Sequence, residues 1–240
     1  DSDKLSAVVS RSVERNQLID QQIVSHKGKD WLAENRRAFP ALHLGPFWIY
    51  GSHVMQVQPA GSLPLLVEAA QAFGSGTHPT TQICLLALAE QRKKKRPPRR
   101  ILDMGCGSAI LAMAAQRLFP AASIFAVDND LISVRTAKEN RQKNQISAMK
   151  MRVIFSEGFA DRGVSRNGPY DLMMANILAG PLRRMAADLA RNLRSGGRLI
   201  LSGLLHHQAQ QLVGDCRARK LTLVMRLDQD EWCCLVFRKR

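Results

Sequence analysis

The stretch from Arg100 to Asp128 constrains this chain more than any other. It reads Arg-Ile-Leu-Asp-Met-Gly-Cys-Gly-Ser-Ala-Ile-Leu-Ala-Met-Ala-Ala and, a few residues on, Ser-Ile-Phe-Ala-Val-Asp. Ile101 and Leu102 predict a short buried strand. Gly105 and Gly107 have no Cβ, so the backbone can turn tightly there and come close to a ligand. Residues 110–118 predict a helix, whose first turn offers unpaired N–H groups and a partial positive charge. A second apolar strand, 123–127, ends on Asp128, a carboxylate placed about 20 residues past the glycines to accept hydrogen bonds from ribose hydroxyls. This is the nucleotide-binding half of a doubly wound α/β fold. A strand-end carboxylate of this kind is expected to serve the ligand rather than the fold.

The glycine spacing separates the cofactors. A nicotinamide fingerprint needs Gly-x-Gly-x-x-Gly or Ala, and the position that should be small is Ile110. Asp103-x-Gly105-x-Gly107-x-Ala109 instead resembles the S-adenosylmethionine methyltransferase loop, usually Asp/Glu-x-Gly-x-Gly-x-Gly, with Ala109 in place of the third glycine. The resemblance implies S-adenosylmethionine as cofactor, S-adenosylhomocysteine as product and no metal.

A chain of 240 residues fits one sizeable domain and a small appendage. We expect a tail and linker over 1–60, linking to or left from a recognition module, and the catalytic domain over 61–240. Residues 1–30 are polar, and a short helix is expected from Asp30 towards Phe39, stopped by Pro40. Residues 44–50 and 54–57 predict a hairpin around Gly51-Ser52-His53; 63–70 is apolar but too short to assign. Gly74-Ser75-Gly76-Thr77 then feeds a helix over 83–89, a loop rich in donors and hydroxyls and suited to a polar or anionic ligand. His78 reads as a loop hydrogen-bonding residue rather than a catalyst.

Beyond Asp128, strands at 151–155, 170–175 and 199–202 alternate with helices at 131–143, 181–193 and 207–219, the second closed by Ser195-Gly196-Gly197 as a C-cap. Strands at 221–227 and 232–237 must pair antiparallel, because too little chain separates them for a crossover. The expectation is a doubly wound, mostly parallel seven-stranded sheet, Rossmann-like, with an antiparallel edge strand.

The net charge of +15 and isoelectric point near 10.3 suggest a polyanionic neighbourhood such as RNA or a ribosome. The run Arg92-Lys93-Lys94-Lys95-Arg96-Pro97-Pro98-Arg99-Arg100 is either a solvated loop or a contact for RNA phosphates. No apolar run is long enough to span a bilayer, which argues against a membrane partner. Five cysteines without metal spacing fit a reducing cytoplasm, with Cys233 and Cys234 on opposite faces of one strand.

Asn176 follows the fourth strand, and in open α/β sheets the carboxyl ends of strands line the ligand crevice, so it should sit near Gly105 and Asp128. An asparagine carbonyl can accept amine hydrogens and aim a nitrogen lone pair at an electrophilic methyl. A lysine amine, with a reference pKa of about 10.4, must first lose a proton, which a desolvated site favours.

Here the resemblance narrows. Phe73-Gly74-Ser75-Gly76-Thr77-His78-Pro79-Thr80-Thr81, Asp103-Met104-Gly105-Cys106-Gly107-Ser108, Asn176-Ile177-Leu178-Ala179-Gly180-Pro181-Leu182, Leu201-Ser202-Gly203-Leu204 and Glu231-Trp232 together are similar to the PrmA family, from Asp30 to the C-terminus. That family methylates protein eleven of the large ribosomal subunit on lysine and N-terminal amines. The resemblance implies a ribosomal protein substrate, cofactor contacts from Thr81, Gly105, Gly107, Asp128 and Asn176, and a catalytic role for Asn176 facing the amine. Family members carry an N-terminal ferredoxin-like module that grips the ribosomal protein. With only a short tail before Asp30, that module is expected to be absent or to lie outside this sequence. The basic surface is the candidate contact for ribosomal RNA.

Two rivals stand beside this reading. An RNA base N-methyltransferase typically resembles Asn/Asp-Pro-Pro-Tyr/Phe at the Asn176 loop, where the aromatic stacks on the extruded base; Ile177, Leu178 and Ala179 cannot stack. A non-catalytic binding module of the same fold is suggested by Ala109 and opposed by intact Gly105, Asp128 and Asn176. His206 and His207, at a strand-to-helix turn, are candidates for touching substrate.

Overall fold

The computed structural model describes residues 40–68 and 76–240, within one compact unit, Asn35–Arg240. The first 39 residues of the expected tail and linker, with the helix expected towards Phe39, and residues 69–75 lie outside the described residues.

The described chain begins with a small sheet of β1 (Leu42–Leu44), β2 (Phe47–Tyr50) and β3 (Leu63–Leu66). The tight turn is at Gly45-Pro46, not at Gly51, and Val54 to Val57 form no strand. The turn needs a left-handed residue, and Gly45 supplies it at φ +55°. The second partner of β2 is the unassigned apolar run, which joins it in parallel as β3. The expected division at residue 60 thus falls inside a sheet, and Phe47, Ile49 and Leu65 are buried in the same core as the catalytic fold.

Helix α1 (Pro79–Glu90) starts on Pro79, whose missing N–H costs nothing in a first turn. Then follow β4 (Arg100–Met104), α2 (Ile110–Leu118), β5 (Ser123–Asp128), α3 (Leu131–Lys143), β6 (Met151–Phe155), α4 (Arg162–Arg166), β7 (Tyr170–Asn176), α5 (Ala179–Asn192), β8 (Leu193–Leu205), α6 (His206–Arg217), β9 (Leu221–Gln229) and β10 (Trp232–Lys239). The seven-stranded sheet runs β6-β5-β4-β7-β8-β10-β9, parallel except that β10 lies antiparallel between β8 and β9. The last two strands pair as expected, but the final one inserts and leaves β9 at the edge. Strand order reverses between β4 and β7, and the crevice beyond their carboxyl ends is where such sheets bind ligands.

Period-two alternation splits the core. Ile101, Ile124, Leu172, Met174 and Ile200 face α1 and α2, while Leu102, Phe125, Met173, Leu199 and Leu201 face α5 and α6. Cys233 and Cys234 part in the same way, one into each cluster. Ser195-Gly196-Gly197 does not cap α5: the helix ends at Asn192, Leu193 is already extended, and Gly196 at φ +78° lies within the irregular start of β8.

Candidate active site

The loop from β4 to α2 is held from three sides. The N–H groups of Gly105 and Cys106 both donate to the Val127 carbonyl, at 2.8 and 3.0 Å. Gly107 donates to Asp128 Oδ2 at 2.8 Å. Gly105, Gly107 and Ala109 all take left-handed backbone, at φ +69°, +52° and +64°, so the departure from the third glycine keeps the turn and places an L-residue under strain. Ala109 is the N-cap of α2 and offers no side-chain acceptor. Asp103 supplies it instead, its Oδ2 accepting the Ala112 N–H at 3.0 Å. That is the physical reason for an acidic residue at the head of the motif. Asp103 is buried, and its Oδ1 has no partner. Burial, with the nearby Asp128 charge adding to it and the Ala112 N–H opposing, pushes its carboxyl up to about 7.

Asp128 differs from expectation in one respect. It is buried, and besides the Gly107 N–H it accepts the Asp130 N–H on Oδ1 at 3.0 Å. It therefore belongs to the framework of the loop as well as to the wall of the crevice.

Met104 pairs with Ala175 and Asn176 with Ser202, which sets Asn176 beside the glycine loop. Asn176 Nδ2 donates to Thr81 Oγ1 at 3.2 Å across 95 residues of sequence, and Asn176 Oδ1, shielded from water, has no partner. The next residue, Ile177, is wedged between two glycines. A Cβ on Gly105 would stand 2.4 Å from Ile177 Cγ2, and one on Gly203 would stand 2.4 Å from the Ile177 carbonyl oxygen. Gly203 at φ +83° explains the Leu201-Ser202-Gly203-Leu204 motif: only glycine lets the Ile177 backbone approach so closely. Ser202 Oγ donates to the Thr80 carbonyl at 3.0 Å and ties β8 to α1. His78 caps α1, its Nδ1 accepting the Thr80 N–H, and its ring meets Trp232 edge-on at 5.2 Å.

These residues enclose a crevice of about 530 Å³ bearing Thr81, Gly105, Gly107, Asp128 and Asn176, all five of the residues singled out in sequence. Sharing Gly105, Asp128, Asn129, Ile177 and Leu178 with it, a cavity of about 820 Å³ continues towards the end of β6, lined there by Ser156, Glu157 and Phe159. The sequence reading passed over this second part. Its signal was available: a Ser-Glu-Gly-Phe turn at the carboxyl end of a sheet strand. It also passed over Asn140, buried on α3, and Asn144, buried at its C-cap, which hold the Ser108 carbonyl and the backbone of Leu66. His206 bonds the Trp232 carbonyl at 3.1 Å, His207 is exposed, and neither lines these cavities. The run from Arg92 to Arg100 is at the opposite end of the strands and exposed.

The crevice fits S-adenosylmethionine on its own chemistry. Ile110, Leu111 and Ile177 give an apolar wall, Asp128 a strand-end carboxylate, and Gly105 a backbone that a side chain would obstruct. Among the described residues no group of three or more His, Cys, Asp or Glu could hold a metal ion. Fold and site together define a class I S-adenosylmethionine-dependent methyltransferase.

The comparisons give the family. The profile of the ribosomal protein L11 methyltransferase family, PrmA, matches residues 1–240. A ribosomal protein L11 methyltransferase of Bradyrhizobium diazoefficiens is 41% identical over 213 residues, 89% of this chain and 71% of that protein. Another, from Rhodopseudomonas palustris, is 34% identical over 237 residues, 99% of this chain and 79% of that one. The crystal structure of ribosomal protein L11 methylase from Lactobacillus delbrueckii subsp. bulgaricus superposes with a TM-score of 0.74 at 27% identity, covering 84% of this chain and 100% of that chain. The chain belongs to the PrmA family.

Proposed function

We propose that this protein transfers methyl groups to amines of ribosomal protein L11, lysine side chains and the N-terminal amine among them, with Asn176 as the residue that orients the amine. One observation carries the reading. Asn176 Oδ1 is an unsatisfied acceptor at the crevice wall, fixed there by the bond from its own Nδ2 to Thr81. A buried acceptor left empty costs about 1–3 kcal/mol, and an amine N–H at this loop supplies the missing partner.

Thr81, Gly105, Gly107, Asp128 and Asn176 would hold the cofactor, which when bound supplies an electrophilic methyl. Asn176 Oδ1 turns the amine so that its lone pair faces that methyl. The apolar wall of Ile110 and Ile177, with Trp232 at the rim, disfavours the charged ammonium, so the amine enters neutral, its proton left to solvent. No stacking residue follows Asn176, and Ile177 is held between Gly105 and Gly203, which favours an aliphatic amine over a nucleobase. Among the described residues no helix is long and apolar enough to cross a membrane. On our reading the protein works in the cytoplasm, and its basic surface meets ribosomal RNA.

The test is Asn176→Ala assayed on L11 with labelled S-adenosylmethionine. We expect kcat to fall by about 100-fold or more, the scale at which lost positioning acts, while Kd for the cofactor changes by less than about 10-fold. Full turnover by Asn176→Ala, or label recovered in RNA instead of protein, overturns the proposal.

A further inference from the structure

The end of the sheet away from the crevice is rich in arginine. At the amino ends of the parallel strands, about 15 Å down β4 from the crevice, lies a cleft of about 400 Å³ lined by Lys94, Arg96, Arg194, Arg198 and Arg238, with Asp171 as its one acid. At the same end, on the other face of the sheet, a recess of about 270 Å³ is lined by Arg100, Arg152 and Arg166 and by no acid at all.

The strand order gathers these at one end of the sheet, on both its faces: Arg100 and Arg152 lie on the side of Leu102 and Phe125, Arg198 and Arg238 on the side of Leu172. Arg152 is on β6, Arg100 on β4, Arg198 on β8 and Arg238 on β10, all at the same edge of the sheet. From β6 to β10 is five strand intervals, about 24 Å at the usual spacing. Arg194 is neutralised by Asp171, which also holds the Arg99 and Arg100 N–H groups at 2.8 and 2.9 Å. The others are not: among the described residues no carboxylate pairs with Arg96, Arg152, Arg166, Arg198 or Arg238. Arg198 and Arg238 stand directly opposite on neighbouring antiparallel strands, an arrangement that repels unless an anion sits between them. Burial first and Arg238 second hold the Arg198 guanidinium below its ordinary value, so this cation is both half-enclosed and uncompensated.

We propose that this amino-end edge of the sheet binds an RNA strand by its phosphates, at a site separate from the methyl-transfer crevice. Cations spread over some 24 Å and both faces of one sheet end suit a polymer that crosses that end with an anion at every repeat, where a single small anion would engage only one pair. Arginine predominates over lysine, and its planar fork matches phosphate in two-bonded fashion. A lipid surface fits less well, because such binding buries an apolar face alongside the charge, and only Met149 of the large exposed apolar side chains lines either recess.

The experiment uses the full chain and a fluorescent mixed-sequence RNA of about 16 nucleotides, the upper site size for a small single-strand-binding fold. Anisotropy is followed between about 50 and 200 mM salt. The double variant Arg198→Gln/Arg238→Gln should raise Kd at least about 10-fold and reduce the log–log salt slope by about 1.4, two contacts at about 0.7 each. The Lys double variant at the same positions should keep most of the slope and so show that the edge still folds. Arg135→Gln/Lys138→Gln, on the exposed side of α3, removes the same charge and should change Kd less than about two-fold. Equal weakening by both glutamine pairs overturns the site, leaving only net charge. Undetectable RNA binding overturns it too, as does competition by polyaspartate or phosphatidylserine vesicles equal to that by RNA. Binding is read without methyl transfer, so a failure here is distinct from a failure of the Asn176 reading.

Discussion

Asp128 Oδ2 accepts the backbone N–H of Gly107 at 2.8 Å, so the residue we propose for the ribose also fixes the glycine loop proposed to hold the rest of the cofactor. The two roles can be separated by substitution. Asp128→Ala removes both, and a hydrogen bond to a charged group is worth about 1.5–3 kcal/mol. Cofactor Kd should therefore rise at least about 10-fold, and the thermal midpoint should fall as the Gly107 and Asp130 N–H groups lose their acceptor. Asp128→Asn keeps one acceptor oxygen and should recover most of the midpoint but little of the affinity. Calorimetric titration and thermal unfolding read the two separately; equal recovery of both would assign Asp128 to the fold alone.

Ala109 bears left-handed backbone at φ +64° in a fully buried position. Left-handed geometry costs an L-residue about 1–2 kcal/mol. Glycine would relieve that, but would lose about 0.8 kcal/mol of buried methyl and about 0.4–1 kcal/mol to the freer unfolded chain. These cancel to within about 0.8 kcal/mol, so Ala109→Gly should be nearly neutral in urea unfolding. Ala109→Val, β-branched at positive φ, should cost several times more. A large gain from Ala109→Gly would show that the strain is not offset.

Asp103 predicts a pH signature. Burial raises its folded pKa to about 7, against about 3.9 in the unfolded chain. Below pH ~4 both states hold the proton and the contribution of Asp103 is fully present. As pH rises from about 4 to 7 the folded state keeps a proton that the unfolded state has released, so stability falls, and above about 7 the curve flattens. The span is worth roughly 4 kcal/mol. Asp103→Asn cannot titrate and still accepts the Ala112 N–H on its amide oxygen. Its stability relative to the parent should therefore rise through that window. Parallel pH profiles for the two proteins would show that Asp103 is ionised throughout.

Much of this was legible in the residues. The bounds of α2, α3 and β6 match those expected, because each packs at least one face against the core and α2 and α3 have clear starts: Asp130 caps α3, and glycines precede α2. Gly105, Gly107, Asp128 and Asn176 were legible because strand ends of a doubly wound sheet converge by topology, whereas Thr81, on α1, came only from the family resemblance. What escaped notice depends on tertiary distance. Whether Leu63–Leu66 is a strand is decided by Phe47–Tyr50 alongside it, and Gly196 looks like a helix cap only when β8 is not known to begin at Leu193. The turn after β6 carries no glycine fingerprint, and the arginines of the amino end span residues 96–238, brought to one end of the sheet by strand order alone.

The clamp on Ile177 gives the last prediction, and its two halves should behave differently. Gly203→Ala puts a Cβ 2.4 Å from the Ile177 carbonyl oxygen and 2.8 Å from its carbonyl carbon. Both are backbone atoms, and position 203 has φ +83°, so the loop must move. Asn176 is the adjoining residue, and misplacement of a positioning group by about 1 Å costs on the order of 100-fold in rate. Gly105→Ala collides instead with the Ile177 side chain, at Cγ2, 2.4 Å away. Ile177→Ala deletes that atom. Single-turnover methyl transfer should therefore fall on the order of 100-fold in either glycine variant. Adding Ile177→Ala should restore part of the rate to Gly105→Ala and none to Gly203→Ala. If Ile177→Ala rescues both, or neither variant loses rate while cofactor binding stays normal, the close approach of Ile177 to the two glycines is not what positions Asn176.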